Sequence, residues 1–546
     1  MEKTPEKYPA GGVRAPAAAL FVLFFCVYAW TMQGVRVGSD ELGMFLVARS
    51  LTQDRDVRLD PRWASRVVLV PCAQDAACAR FPVGQSLAEL PLAAAAHALF
   101  KEQDSPDVFG PGMRTYLLVS LTNPLLGAAA CVLMFLFCMR LDADPPWAVF
   151  LTVLFGAGTL AWPAAKTLLS EPLQMLGLLG CAYFLFAYGQ QGRLRYAALA
   201  GVFCGAMLAA KFFLGVLGPV ILLYFIWKLR ERGEPLPRTL AALALFAAPA
   251  AAGVAVTLWY NAARFGNAFE FGYYLLNDRD ALHRFSAPLW SGLHGLLFSS
   301  GKGLFWYVPC AGVAVAALPG FARRRAAEAF LCGGASLCLI TAFAAWNQWH
   351  GDFAWGPRFL VPLMPFLVLP LVSLKDTWLR DRRAVRGVLL AALLALSIGI
   401  QFLGATLRTG AYLAVARSQA PYQLFHKPGD IRLRDDLLNQ HFIPEFSPLA
   451  AHVWLLKHTV RNSNLPPDEL RERMQRDFPW KSLVRRGMPQ DPTPAAGWDM
   501  WHAYFAEHAP GARAWIAPVK SVLAGAFAAS CILLFALLIR KPKNGH

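Results

Sequence analysis

Apolar blocks about twenty residues long recur along this sequence and constrain its fold more than any other feature. Hydrophobic residues make up 56% of the chain, charged residues only 16%, and the mean hydropathy is +0.40. A helix that crosses about 30 Å of hydrocarbon needs about 20 mostly apolar residues. We therefore expect an all-α polytopic membrane protein with about 12 transmembrane helices, at residues 15–34, 115–139, 147–164, 171–189, 196–210, 212–228, 239–259, 303–320, 329–346, 359–374, 386–405 and 514–539.

Basic residues between the spans predict the orientation. The net charge is +17, but it lies in short clusters such as Arg323–Arg325, a pattern typical of cytoplasmic loops and not of a nucleic-acid partner. Twelve spans put these clusters and both termini in the cytoplasm. This count requires two spans that meet at Lys211, because one helix from Tyr196 to Trp227 would be about 48 Å long.

The long polar segments then fall on the extracytoplasmic side. The first loop, residues 35–114, contains "RFPVGQSLAELPLAAAAHALF", an apolar stretch interrupted by Pro82, Gly84 and Pro91, which predicts helices lying in the membrane interface. The sequence does not define a fold for residues 406–513, which we call the C-terminal segment. We divide the chain into a transmembrane core (1–405), this small extracytoplasmic segment, and a last span with a cytoplasmic tail (514–546).

Two of the eleven cysteines, Cys72 and Cys78, lie in the polar part of the first loop. In an extracytoplasmic loop we expect them to form a disulfide. Two free thiols, or half of a metal site, are the alternatives, and the second would need a further Cys/His pair nearby.

Two adjacent carboxylates, Asp40 and Glu41, open the first loop. One interpretation is structural: Ser39 or Asp40 caps a helix that begins near Glu41, and the helix dipole favours acidic residues in its first turn. The other is catalytic, because a carboxylate beside the membrane can act as the general base that removes a proton from a hydroxyl acceptor. We take Asp40 and Glu41 as catalytic candidates.

Four basic residues lie at the outer ends of predicted spans, where the positive-inside rule does not place them. Long basic side chains that reach the interface are an ordinary alternative. A lipid-linked phosphate would explain them together, because cations stabilise the charge on a departing phosphate. The candidates are Lys166, Lys211, Lys302 and Arg358, with Arg264 as a fifth.

Further polar and aromatic residues in the predicted outer segments are candidates for binding a sugar or an acceptor. Glu171 has a structural alternative, in which Ser170 caps a helix and Glu171 lies in its first turn. The tryptophans of "NQWHGDFAWGPRF" are either interfacial residues or a surface beneath a sugar ring. A lone His with a lone Asp does not establish a metal site. The candidates are Glu171, His350, Asp352, Trp355 and Tyr273.

Four stretches carry a resemblance to a known family. They are "FGAGTLAWPAAKTLLSEPL", "YNAARFGNAFEFGYY", "GLLFSSGKGLFWYVP" and "WHGDFAWGPRFLVPLMPFLVLPL". They resemble the corresponding segments of bacterial GT-C-type membrane glycosyltransferases, the group that contains protein O-mannosyltransferases and lipid A aminoarabinose transferases. The resemblance covers residues 15–405 and implies a GT-C-like fold.

The resemblance also implies an activity in the bacterial inner membrane. Members transfer a sugar from a polyprenyl-phosphate donor to a glycan, lipid or protein acceptor on the outer face, usually with inversion. It implies that Asp40 is the base and that Lys166, Lys302 and Arg358 bind the donor phosphate. No cofactor is expected, although a divalent metal stays open because only some members use one. A flippase or transporter for a lipid-linked glycan, and a polysaccharide polymerase or ligase, are the competing hypotheses.

Overall fold

The structure is a computed structural model. It describes residues 10–33, 38–72, 76–100, 112–272, 285–351, 353–375, 383–419, 441–462, 464–477, 492–508 and 510–539. Apart from one short β-hairpin, the regular structure within these ranges is helical.

The first span is followed by a folded first loop. Its hairpin pairs Val70 with Cys78, and a disulfide joins Cys72 to Cys78 with their Cα atoms 5.7 Å apart. The apolar stretch predicted to be interrupted at Pro91 forms instead one 16-residue helix that continues through this proline. The elements are α1 (Ala10–Thr31), α2 (Ser39–Gln53), a 3-10 turn (Pro61–Ser65), β1 (Leu69–Pro71), β2 (Ala77–Ala79) and α3 (Gly84–Leu99).

The next part of the chain contains the predicted break at Lys211. Here the helix ends at Ala210, and Lys211 is extended, with a φ of −157°. Gly84 at the start of α3 touches this point, since a Cβ atom on Gly84 would lie 2.3 Å from the Ala210 nitrogen. The elements are α4 (Met113–Val119), α5 (Thr122–Arg140), α6 (Pro145–Gly158), α7 (Ala161–Ala165), α8 (Glu171–Gln191), α9 (Leu194–Ala210), a 3-10 segment (Phe212–Leu217), α10 (Gly218–Arg232) and α11 (Leu236–Phe265).

Prolines divide two of the predicted spans that follow. Pro309 separates a short helix from a longer one within 303–320, and residues 358–373 form three consecutive pieces that contain Pro362, Pro365 and Pro370. Proline lacks the N–H that an uninterrupted helix needs. The elements are α12 (Leu289–Phe298), α13 (Leu304–Tyr307), α14 (Cys310–Arg324), α15 (Ala326–Ala344), a 3-10 segment (Arg358–Leu363), α16 (Met364–Val368), a second 3-10 segment (Leu369–Ser373) and α17 (Arg383–Thr406).

The C-terminal segment has a small apolar core of its own, which includes Leu407, Tyr412, Phe446 and Leu455. A separate cluster joins Trp501 and Phe505 to Met32, at the end of the first span. The elements are α18 (Thr409–Gln419), a 3-10 turn (Pro444–Phe446), α19 (Pro448–Arg461), α20 (Pro467–Arg476), a 3-10 turn (Thr493–Ala495), α21 (Trp501–His508), a 3-10 turn (Pro510–Ala512) and α22 (Arg513–Ile539).

The expectation of a helical, multi-pass membrane protein is confirmed. Eight helical segments of the described chain are long and apolar enough to cross a membrane, and each coincides with one of the twelve predicted spans. The other four predicted spans correspond to shorter or divided helices at 145–165, 194–210, 304–324 and 358–373. Almost no residue in the apolar part of the helix over 236–265 is buried, as expected of a helix that faces lipid on much of its surface.

Candidate active site

A cavity of about 570 Å³ lies where the first loop, the C-terminal segment and the adjoining ends of several helices meet. Three cations and four carboxylates line it, so its wall is strongly charged although it adjoins apolar helices. The charged lining residues are Asp40, Glu41, Arg80, Lys166, Glu171, Arg358 and Asp499.

Asp40 lies in the first turn of α2 and faces two guanidinium groups. Its Oδ2 atom is 3.3 Å from Nη2 of Arg358, and its Oδ1 atom is 3.6 Å from Nη2 of Arg80. The side chain is 25% exposed, so a ligand in the cavity can reach it. Ser39 does not cap the helix, because its hydroxyl accepts a hydrogen bond from the Val68 nitrogen at 3.0 Å.

Glu41 supplies the capping interaction. The helix begins at Ser39, two residues before the predicted start, and the Glu41 carboxylate accepts a hydrogen bond from the Gly38 nitrogen at 2.9 Å. Burial raises the pKa of Glu41 to about 7; the charges of Asp40 and Asp499 act in the same direction, and the Gly38 N–H and Arg358 oppose them. Glu41 therefore combines a structural role with a carboxyl group that titrates near neutral pH.

Arg358 links two of the carboxylates. Besides Asp40, its Nε atom lies 3.9 Å from Oε1 of Glu171. The chain bends sharply before it, at Gly351, whose φ is +67°, and a Cβ atom there would lie 2.8 Å from Cγ of Arg358. Glycine allows both this backbone conformation and the close approach of the arginine side chain.

Lys166 follows α7 and is almost fully buried. Its Nζ atom lies 2.7 Å from Oδ2 of Asp499, and it donates to the carbonyl oxygens of Gly404 and Leu407 at 3.4 Å each. The same lysine is joined to the end of the first span through its carbonyl oxygen, which accepts from the Gln33 nitrogen. It therefore connects three separate parts of the chain at the cavity wall.

Two of the sugar-binding candidates at the cavity each have a polar atom without a hydrogen-bond partner among the described residues. They are Oε2 of Glu171 and Nε1 of Trp355, both buried. Trp355 packs edge-on against Tyr307 and lies 4.6 Å from the ring of His452. A carboxylate oxygen and an indole N–H are suitable partners for the hydroxyl groups of a sugar.

Lys302 does not line this cavity. It is fully buried, and its Nζ atom donates to the carbonyl oxygen of Ala354 at 2.5 Å. Ala354 is itself a lining residue, so Lys302 supports the cavity wall from behind.

Arg264 and Lys211 also lie outside the cavity lining. The Arg264 guanidinium donates to the carbonyl oxygens of Ala79 and Phe81, which flank Arg80, and so fixes the backbone on both sides of that arginine. The Lys211 ammonium lies 4.1 Å from the ring centre of Phe359. The charges of Glu171, Arg358 and Asp40 also act on this ammonium.

The aromatic outer segment contributes less to the cavity than its sequence suggests. His350 and Trp349 are fully buried, and their rings pack against each other and against His441. Only Trp355 of the predicted sugar-binding tryptophans reaches the lining. Asp352 and Tyr273 lie outside the described residues.

Arg80 and Asp499 are lining residues that sequence reasoning missed. Arg80 precedes Phe81 in the first loop, and its position depends on the hairpin and on Arg264. Asp499 belongs to the C-terminal segment, whose fold the sequence does not define, and the signal available was only an acidic residue between two tryptophans, "GWDMW". Within the described residues no group of three or more His, Cys, Asp or Glu side chains is placed to hold a metal ion.

Neither a protein-family model nor a curated protein matches the chain. Its structure is similar to ArnT from Cupriavidus metallidurans bound to undecaprenyl phosphate, at 15% identity and a TM-score of 0.45, over 82% of this chain and 78% of that one. It is also similar to AglB, an oligosaccharyltransferase from Archaeoglobus fulgidus in complex with an inhibitory peptide and a dolichol-phosphate. The identity there is 12% and the TM-score 0.44, over 76% of this chain and 58% of that one. Likenesses of this degree do not assign the chain to a family.

Proposed function

We propose that this protein is a GT-C-type glycosyltransferase that transfers a sugar from a polyprenyl-phosphate donor to a hydroxyl acceptor. The observation that carries the proposal is the position of Asp40, which shares one accessible cavity with Arg80, Arg358 and Lys166. A base for the acceptor and cations for the leaving phosphate are the two groups that this reaction requires.

In the proposed mechanism the acceptor oxygen attacks the anomeric carbon while Asp40 takes its proton. The bond from the anomeric carbon to the phosphate oxygen breaks, and its electron pair leaves with the polyprenyl phosphate. A single displacement of this kind inverts the anomeric centre. Asp40 is suited to the task because it is held at the start of a helix and remains open to the cavity.

The cations have distinct roles in this proposal. Arg358 and Lys166 bind the phosphate oxygens, since both line the cavity and approach it from different elements. Arg80 holds Asp40 from the other side. Lys302, Arg264 and Lys211 act indirectly, by supporting the wall and the backbone around these groups.

Glu171 and Trp355 are the proposed contacts for the sugar. Each presents a buried polar atom without a partner among the described residues, and a sugar hydroxyl would satisfy it. Leaving such atoms unsatisfied costs about 1–3 kcal/mol each, which favours a hydroxyl-bearing ligand.

We place the cavity on the extracytoplasmic face of a bacterial inner membrane, with both termini in the cytoplasm. The distribution of basic clusters supports this orientation, because Arg325 pairs with Asp142 just beyond one end of α5, whereas Asn123 at the other end bonds to the cavity-lining residues Thr167 and Leu169. The donor is then a polyprenyl phosphate that already carries its sugar, and the acceptor is a glycan, lipid or protein of the cell envelope.

The test compares cells that lack the gene and carry wild-type, Asp40→Asn or Asp54→Asn protein. Asp54 ends the same helix, is exposed, and is a matched control. Mass spectrometry of envelope glycolipids and glycoproteins should show a sugar-bearing product with wild type and Asp54→Asn. Asp40→Asn, present in equal amount, should lower it by about 100-fold or more, the usual range for loss of a general base. A full product level with Asp40→Asn would refute the assignment.

A further inference from the structure

The ammonium of Lys166 already has acceptors within the protein, and a phosphate oxygen would compete with the two carbonyl oxygens, which are the more distant ones. Its three N–H groups have three acceptors: the Asp499 carboxylate at 2.7 Å and the carbonyl oxygens of Gly404 and Leu407 at 3.4 Å. Both charged side chains are mostly withdrawn from water, at 5% exposed for Lys166 and 11% for Asp499. A phosphate that approaches Lys166 therefore meets the negative charge of Asp499 as well.

Asp499 is held at this place by contacts that do not involve Lys166. Its backbone nitrogen donates to the Thr406 carbonyl oxygen at 2.7 Å. Two residues later, the backbone nitrogen of Trp501 donates to the carbonyl oxygen of Met32 at 3.0 Å. Its indole nitrogen donates to the carbonyl oxygen of Ala29 at 2.9 Å. The backbone that carries the carboxylate is thus fixed in the cavity wall independently of Lys166.

We propose that Asp499 discriminates between the lipid donor and the spent lipid, and so promotes release of the product. This inference rests on the proposed function. The donor is a phosphodiester with one negative charge. When the bond to the anomeric carbon breaks and the acceptor proton moves to Asp40, the departing lipid becomes a phosphate monoester, whose second ionisation lies near pH 6. At neutral pH it approaches two negative charges, and a fixed carboxylate beside Lys166 repels it more strongly than it repels the donor.

Asp499 differs in this respect from the other carboxylates of the cavity. Asp40 and Glu171 both face Arg358, and Asp40 also faces Arg80. Only Asp499 is paired with Lys166 among the described residues. The charge of Asp499 therefore determines how strongly the Lys166 side of the cavity binds anions. In this way Asp499 determines specificity through its effect on Lys166.

The experiment uses the purified full-length protein in lipid nanodiscs. Affinities are measured for undecaprenyl phosphate, a monoester, and for its methyl phosphodiester, which keeps the lipid but holds a single charge. Asp499→Asn should tighten binding of the monoester by about tenfold and of the diester by about threefold or less, because like charges repel strongly in a partly buried site. Glu507→Gln, an exposed carboxylate of the same segment, is the matched control and should leave both affinities within about twofold.

A purely structural role gives the opposite result, since loss of the ion pair would loosen the wall and weaken both affinities. Weaker or unchanged binding by Asp499→Asn overturns the proposal, and equal tightening for the two lipids overturns the discrimination. Asp499→Glu, which keeps the charge, should retain the wild-type ratio of affinities and serves if the asparagine variant does not fold. Failure of wild type and all variants to bind either lipid would instead refute the polyprenyl-phosphate function, and Asp499's role with it.

Discussion

Replacing Glu41 by glutamine should remove a defined part of the pH dependence of stability. Glu41 is buried behind Asp40 at the start of α2. Burial raises its pKa from 4.5 to about 7, with smaller contributions from Asp40 and Asp499, against the opposing effects of the Gly38 N–H and Arg358. Glutamine has the same shape, keeps an oxygen for the Gly38 N–H, and does not ionise.

Whether stability rises or falls with pH depends on which state, folded or unfolded, binds the Glu41 proton more tightly. A carboxyl group whose pKa is raised by folding binds its proton better in the folded protein than in the unfolded chain. Its contribution to the free energy of unfolding is complete below pH 4.5 and is lost as the pH rises through 7. Each pKa unit corresponds to about 1.4 kcal/mol, so the difference between 4.5 and about 7 amounts to about 3 kcal/mol.

The assay is thermal unfolding in one detergent at pH 5 and at pH 8.5. Wild type should lose more stability than Glu41→Gln between these values, and the difference between the two proteins should reach about 3 kcal/mol. The histidines with lowered pKa change stability in the opposite direction, but they are present in both proteins and cancel in the comparison; they are His441, His452, His458 and His502. Glu472→Gln on an exposed face is the control. The same pH dependence in wild type and Glu41→Gln would refute the reasoning.

Two further substitutions test the cations. Arg358→Lys should lower the transfer rate by about tenfold or more, because an ammonium cannot replace a planar guanidinium that faces both Asp40 and Glu171; a normal rate in the product assay would contradict this role. Lys302→Met should lower the melting temperature, because its ammonium donates to the wall residue Ala354, yet leave the affinity for undecaprenyl phosphate within about threefold. A loss of affinity as large as that of Lys166→Met would place Lys302 at the phosphate after all.

The helical membrane architecture could be predicted from the sequence because long apolar blocks permit few other structures. The break at Lys211 was also predictable, since charge placement and the length of one helix both required it. The divisions within 145–165, 304–324 and 358–373 were not, because they depend on prolines and on local backbone bonds. Pro91 shows the limit of such signals, as α3 continues through it.

The candidate site was predictable only in part. Asp40 was singled out because it opens the first loop, and Lys166, Glu171 and Arg358 because they lie in outer segments at the ends of predicted spans; the structure brings all four to one cavity. The same argument also selected Lys302, but position along the chain does not determine which way a side chain points, and this one is directed to Ala354.

Arg80 and Asp499 illustrate what the sequence leaves out. Arg80 reaches Asp40 because a hairpin and the buried Arg264 fix its backbone. Asp499 and Lys166 are 333 positions apart in the sequence, and the packing of the C-terminal segment against the first span brings them together. Contacts of this kind depend on tertiary structure, and no local pattern indicates them.

The central claim is that the charged cavity binds a polyprenyl phosphate with its phosphate beside Lys166 and Arg358 and its attached sugar toward Asp40. The most direct measurement is a cryo-electron microscopy structure of the wild-type protein with undecaprenyl phosphate. The account predicts phosphate density within ion-pair distance of both cations, inside the 570 Å³ cavity. Density for the phosphate at another site, with this cavity empty, would contradict it.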